Sequence, residues 1–84
     1  MWQKNGNQLY AEVSFKDFTE AFAFMTEVAL VAERQQHHPT WTNTWNKVSI
    51  TLTTHDAGNV VTNKDKELAK AIEAIYQKYN VLVG

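Results

Sequence analysis

All three histidines of this 84-residue chain fall in two short clusters, His37-His38-Pro39 and Thr54-His55-Asp56. Imidazole is the side chain whose ordinary pKa lies nearest neutrality, so converging histidines can move protons or hold a metal. The segment between the clusters decides whether they converge. Val48-Ser49-Ile50-Thr51-Leu52-Thr53 alternates apolar and polar residues, as a half-buried strand does. Trp41-Thr42-Asn43-Thr44-Trp45 alternates too, with its aromatics on one side. Asn46-Lys47 between them reads as a two-residue hairpin loop, because Asn tolerates the left-handed backbone such a loop needs. That loop sets Trp45 opposite Val48, Trp41 opposite Leu52 and His38 opposite His55. Directly opposed residues hold their Cβ atoms about 4.5–5.5 Å apart. Pro39 cannot donate to the ladder, so pairing frays there.

From the residues alone the histidines support acid–base chemistry, ligand binding, or no more than polar side chains at a sheet end. A three-histidine zinc site with an open water position is weaker. Adjacent His37 and His38 point to opposite faces if both are extended, and no HExxH-type helical pair is present. Trp45 reads as core packing on the Val48/Ile50/Leu52 face, whereas Trp41 lies nearer the histidines and could wall a flat heterocycle. Glu33 lies about one helical turn before His37, where its carboxylate could bind ring N–H donors, orient an imidazole, or simply be solvated. Asp65 sits at the third position of a capping box, and could also bond a histidine or its loop. Thr53 and Thr54 serve strand pairing first.

Composition bounds the rest. The length fits one domain, residues 1–84, with a modest core helped by three Trp, three Tyr and four Phe. There is no cysteine, which excludes disulfides, thiolate catalysis and Cys-ligated zinc. A net charge of −1 gives no footprint for nucleic acid or an anionic membrane. No apolar run is long enough to span a bilayer and no signal peptide is visible, so the expected location is cytoplasmic.

The elements that must position the histidines can be laid out in order. Asn5-Gly6 marks a hairpin between Trp2–Lys4 and Gln8–Phe15, with Trp2 opposite Leu9. Asp17, with Glu20 three residues on, starts a helix running to about Gln35. Phe18, Phe22, Met25, Val28, Ala29 and Ala32 give that helix an apolar stripe, which is read as core rather than as a cofactor box. The histidine hairpin follows, then a loop over Asp56 to Val61. A second capping box, Thr62-Asn63-Lys64-Asp65, opens a closing helix with Leu68, Ala69, Ile72, Ile75, Tyr76 and Tyr79 on one side. Val81-Leu82-Val83 is an apolar tail expected to dock. The fold class is therefore α+β in the order ββαββα, a four-stranded antiparallel sheet with helices packed on one face.

These blocks resemble the pterin-4a-carbinolamine dehydratase family, also known as the dimerisation cofactor of a homeodomain transcription factor. The resemblance is carried by Phe15-Lys16-Asp17-Phe18 with Ala21-Phe22-Ala23-Phe24-Met25, and by Ala32-Glu33-Arg34-Gln35-Gln36-His37-His38-Pro39. Trp41-Thr42-Asn43, Trp45-Asn46-Lys47-Val48 and Leu52-Thr53-Thr54-His55-Asp56-Ala57-Gly58 continue it, and Asp65 with Leu68-Ala69 completes it. It covers almost the whole chain, and the HHP and THD blocks at this separation are its specific part.

The resemblance implies a hydro-lyase that removes water from a 4a-hydroxy-tetrahydropterin to give quinonoid dihydropterin, in tetrahydrobiopterin recycling. No cofactor and no metal are implied. It assigns His37, His38 and His55 as catalytic, with His38 and His55 handling the hydroxyl and N5 protons and His37 binding or assisting. It assigns Glu33, Trp41, Thr53, Thr54 and Asp56 to substrate binding, and Asp65 and Pro39 to support. The implied partners are the pterin, an aromatic amino-acid hydroxylase of the same pathway, and further copies of the chain in a homodimer or homotetramer built through sheet edges and helices. Two other functions fit the resemblance. One is a non-catalytic, coactivator-type interaction protein; the other is a pterin-binding paralogue in molybdopterin metabolism. Against the family pattern, a helix expected before Trp2 is missing. The Gly58–Thr62 loop is one residue longer, Trp45 stands for a usual Tyr, and Thr40 stands where an acid is common.

Overall fold

Two tight turns set the sheet. In the first, Gly6 takes φ +62°, and the strands β1 (Gln3–Asn5) and β2 (Gln8–Ser14) pair with Lys4 opposite Leu9. In the second, Trp45 takes φ +51°, and β3 (Thr40–Thr44) pairs with β4 (Lys47–Leu52) so that Trp41 faces Ile50 and Thr44 faces Lys47. Each loop therefore begins one residue away from the asparagine-led position read from sequence: it is Gly6-Asn7 rather than Asn5-Gly6, and Trp45-Asn46 rather than Asn46-Lys47. Both turns have the positive φ at their first central residue, the place where a type II′ turn requires it. Both registers differ from expectation by two residues. A shift by two leaves the side chains that remain in the strands on their expected faces, because the strand period is two.

The computed structural model describes residues 1–80, so the Val81-Leu82-Val83 docking expectation lies outside the described residues. The sheet is antiparallel in the order β1-β2-β4-β3, with Val13 opposite Val48 and Ala11 opposite Ile50 across its centre. The helices α1 (Phe18–Gln35) and α2 (Asn63–Asn80) complete the ββαββα order and cover one face. The core between the layers is formed by Val13, Val48, Ile50 and Leu52 from the sheet, Ala21, Phe24, Val28 and Ala32 from α1, and Leu68, Ala69, Ile72 and Ile75 from α2. Fully burying each of the larger side chains stabilises the fold by roughly 1.5–3 kcal/mol. Phe15 extends this core, with its ring centroid 4.9 Å from Phe24, 5.4 Å from Tyr76 and 5.5 Å from Tyr79.

The expected stripe on α1 is rotated. Phe24, not Phe18 or Phe22, is the buried phenylalanine; Phe18 and Phe22 are 48% and 56% exposed and stack on each other, with centroids 5.9 Å apart. Ala29 is exposed as well. A helix apolar on two adjacent faces carries two competing stripes, and packing on α2 and β4 chose Ala21, Phe24, Val28 and Ala32. Trp45, expected in the core, is 64% exposed, because the turn residue it has become points away from the ladder. Trp2 does not face Leu9, yet its indole Nε1 donates to the Ala69 carbonyl at 3.1 Å and anchors the sheet edge to α2.

The helix starts follow the sequence. Asp17 accepts from the Glu20 N–H at 2.8 Å, and the Glu20 carboxylate accepts from the Lys16 N–H at 3.1 Å. A polar tie joins the two helices: Glu27 accepts from Lys78 Nζ and from the Tyr79 hydroxyl, each at 2.5 Å. Those two hydrogen bonds hold the Glu27 carboxyl below the ordinary range, while burial and the hydrogen bond to Glu27 push the Tyr79 phenol up to about 12.

Candidate functional site

Helix α1 ends in a way that returns the chain over its own last turn. Gln36 adopts a left-handed conformation, φ 54°, and the His37 N–H bonds the Ala32 carbonyl at 3.1 Å. This six-to-one bond is the mark of a Schellman-type ending, here with Gln where Gly is usual. The reversal carries His37 and His38 towards the end of β4. Neither reaches the strand ladder, since β3 begins at Thr40 and β4 ends at Leu52. The expected direct opposition of His38 and His55 is therefore replaced by something looser. His55 opens a single 3-10 turn, His55–Ala57, and the two histidine segments border one cleft.

That cleft has a volume of about 180 Å³ and is open to solvent. His37, His38, Thr53, Thr54, His55 and Asp56 line it, as do Gln36 and Lys64. Glu33 reaches the site through His38, and its Oε1 lies 3.0 Å from His38 Nε2. Trp41 is half-buried against the core rather than lining the cleft, and Pro39 links the cleft wall to β3. The first turn of α2 supplies Lys64, a cationic group that sequence reasoning passed over. Its position beside Asp65 in a capping box was the available signal. Gln36 gave none, because a left-handed Gln is not foreseeable from local preference.

Each imidazole has one ring nitrogen held by an oxygen. His37 Nε2 lies 2.6 Å from Asp65 Oδ1, His38 Nε2 is paired with Glu33, and His55 Nδ1 lies 2.6 Å from Asn59 Oδ1. The surroundings differ. The His37 side chain is 11% exposed and Asp65 is fully buried, whereas His38 and Glu33 are 60% and 73% exposed. Asp65 Oδ2 accepts from the Thr54 hydroxyl at 2.7 Å and from the Thr62 N–H at 2.9 Å. The Thr54 and Thr62 hydroxyl oxygens are themselves 2.7 Å apart. Burial pushes the Asp65 carboxyl upwards, but the hydrogen bonds from His37, Thr54 and the Thr62 backbone outweigh it and hold the group below the ordinary range. One carboxylate thus caps α2, ties down the end of the β4 segment and orients His37. The Thr54 hydroxyl is committed to this network rather than offered to the cleft.

Among the described residues no three His, Asp or Glu side chains gather around a common point suited to a metal ion, and no helix is long and apolar enough to cross a membrane. What the arrangement can do is exchange protons with a small polar ligand. Three rings border one cleft, and a protonated His37 or His38 would form an ion pair with its carboxylate.

A small α+β domain with three oxygen-anchored imidazoles around an open cleft defines a class of protein able to exchange protons with a small polar ligand. Comparison with known sequences narrows that class. A family profile described as pterin 4 alpha carbinolamine dehydratase matches residues 1–75, and the chain belongs to this family. A relative from Synechococcus sp. (strain WH7803), provisionally named a pterin-4-alpha-carbinolamine dehydratase, is 54% identical over 74 residues, spanning 88% of this chain and 78% of that protein. The crystal structure of a transcriptional coactivator/pterin dehydratase from Brucella melitensis superimposes with a TM-score of 0.84 at 43% identity, over 88% of this chain and 80% of that one. A pterin dehydratase-like protein described as a RuBisCO assembly factor in the alpha-carboxysome shares the fold, with a TM-score of 0.71 at 21% identity over 89% of this chain and 86% of that one.

Proposed function

We propose that the chain is a hydro-lyase acting on 4a-hydroxy-tetrahydropterins. The observation that carries this reading is the set of three imidazoles on one cleft, each with one nitrogen anchored, in a chain of the pterin dehydratase family. Loss of water from C4a needs two proton movements. One proton goes to the departing hydroxyl as the C4a–O bond breaks with its electron pair. The other leaves N5, whose N–H electron pair becomes the second bond of C4a=N5. Water and quinonoid dihydropterin result, and no electrons are gained or lost.

His38 and His55 are the pair proposed to carry these protons, since both are solvent-exposed at the cleft. His37, nearly enclosed and backed by Asp65, binds or assists. Glu33 and Asp56 are the carboxylates available to the N–H edge of a pterin, and Thr53 adds polar contacts. Proton transfers by a positioned side chain contribute typically 10²–10⁴-fold in rate. The test is stopped-flow ultraviolet absorbance of freshly generated 4a-hydroxy-tetrahydropterin. Acceleration by the wild type that disappears in His38→Ala supports the enzyme, and no acceleration by folded wild type rejects it.

Self-association is part of the proposal. The stacked pair Phe18 and Phe22, with Leu30 at 59% exposure, leaves an apolar stretch of α1 open in the single chain. A second copy of the chain is the occupant proposed for it, and a homo-oligomer is the expected state. The same face supports a second reading, an interaction protein of the coactivator type, in line with the description of the Brucella structure. Retention of partner binding by His38→Ala, with no dehydratase activity in either protein, would favour that reading.

A further inference from the structure

The three histidines are not held alike. His37 and His38 are each met at Nε2 by a carboxylate, but His55 is met at Nδ1 by the neutral side chain of Asn59. Asn59 lies in the Gly58–Thr62 loop. Gly58 and Asn59 both take left-handed conformations, φ 87° and 61°, which Asn tolerates better than most residues because its short polar side chain bonds locally. The turn is strapped down. The Asn59 N–H bonds the Thr54 carbonyl at 3.0 Å, the Gly58 N–H bonds the His55 carbonyl at 3.0 Å, and the Thr54 N–H bonds the Val60 carbonyl at 3.0 Å. Thr54 is in turn fixed by the buried Asp65. The Asn59 amide is therefore presented to His55 from a braced support.

A neutral imidazole has one N–H and one lone pair, and the bond made by one nitrogen decides what the other offers. An amide oxygen can only accept, so the 2.6 Å contact with Nδ1 is a hydrogen bond when the ring proton sits on Nδ1. Nε2 then carries the lone pair, and it has no hydrogen-bond partner among the described residues. The free histidine side chain favours the opposite tautomer in water, so the preference must be imposed. We propose that Asn59 is a positioning residue that holds His55 in the Nδ1–H form, so that His55 Nε2 accepts a proton from the bound ligand. On the dehydratase reading that proton is the one on pterin N5; the tautomer assignment itself does not depend on that reading.

The charged or titratable groups sharing the cleft with His55 are Asp56, Lys64, His37 and His38. They make a bare pH profile ambiguous, so tautomer is the primary readout. Long-range ¹H–¹⁵N correlation spectra of the ¹⁵N-labelled protein would be recorded at a pH of about 9, well above the ordinary imidazole pKa of about 6.5. Wild type should show His55 protonated at Nδ1. Asn59→Gly, which suits the positive φ and so spares the turn, should revert His55 to the Nε2–H form. Asn59→Asp, which keeps an accepting oxygen, should retain the wild-type tautomer. In the dehydration assay Asn59→Gly should lower kcat by about tenfold, comparable to the low end of the loss when a group orienting a metal-bound histidine is removed, with KM nearly unchanged. Asn59→Asp should recover most of that loss. A wild-type His55 carrying its proton on Nε2, or an Asn59→Gly variant with unchanged tautomer, would overturn the proposal. Failure of the dehydratase reading would appear separately, as a wild-type protein with the Nδ1–H tautomer and no turnover.

Discussion

His37 and Asp65 stand 28 residues apart in the chain, yet Nε2 of one lies 2.6 Å from Oδ1 of the other. The same carboxylate accepts the Thr62 N–H at the start of α2, so helix capping and ring orientation share one group. Local structure and site chemistry are therefore coupled at Asp65, and damage to either should show in both.

Asp65→Ala should be severe. It strands the His37 ring, the Thr54 hydroxyl and the Thr62 N–H around a fully buried position. Leaving a buried donor without its acceptor costs about 1–3 kcal/mol, a large part of a small domain's stability. Urea denaturation measures it, and a loss under about 1 kcal/mol would contradict the network's role. The pH dependence has a definite sign. The folded carboxyl is held below its unfolded value of about 3.9. Its contribution is thus full above that value and is lost as pH falls through the lower folded pKa. Wild-type stability should drop in acid more steeply than that of Asp65→Asn, which has no carboxyl to protonate.

His38→Ala should separate chemistry from stability. With the His38 side chain 60% exposed, the substitution should leave unfolding free energy within about 0.5 kcal/mol of wild type. If His38 carries a proton in the reaction, kcat should fall by about 10² or more. Glu33→Gln keeps the shape but removes the charge facing His38, and should cost less, about tenfold. Stopped-flow kinetics beside equilibrium denaturation provide the check. A stable His38→Ala protein with wild-type turnover would remove His38 from the chemistry.

Much of this arrangement was legible in the sequence, and the misses share a cause. Capping residues Asp17 and Thr62 act through bonds to neighbours three residues away, so local pattern located both helix starts. Period-two alternation assigned the faces of β2 and β4. Turn registers depend on which residue accepts a positive φ, and Trp45 accepted one that asparagine was expected to take. The core face of α1 was chosen by α2 and β4, neither of which a helix's own periodicity can see. The two histidine segments were brought together as expected, but through a left-handed Gln36 and a 3-10 turn rather than through paired strands.

Trp45→Asn should stabilise the fold. A residue other than Gly, Asn or Asp in the left-handed region costs roughly 1–2 kcal/mol, and Asn lowers that cost. Trp45 is 64% exposed, so little buried apolar area is lost in exchange. The expected gain is about 0.5–1 kcal/mol, read as a higher urea midpoint with an unchanged slope. A lower midpoint would mean that the indole makes contacts in the assembled protein that the single chain does not contain.

Phe22→Glu tests the open face of α1. Phe22 is 56% exposed and stacks on Phe18 at 5.9 Å, so a charge there disturbs no core contact of the single chain. The effect on unfolding free energy of an isolated subunit should be within about 0.5 kcal/mol. Burial of this face against a second copy changes the arithmetic, because two carboxylates would be desolvated without partners. Light scattering coupled to size exclusion should therefore show wild type as an oligomer at micromolar concentration and Phe22→Glu as a smaller species. Far-ultraviolet circular dichroism of the variant should be unchanged. If both proteins elute with the same mass above that of a single chain, association runs through another surface, and the exposed edge strands β1 and β3 are the alternative. If wild type is itself a single chain at that concentration, the proposed role of the Phe18–Phe22 face in self-association is wrong.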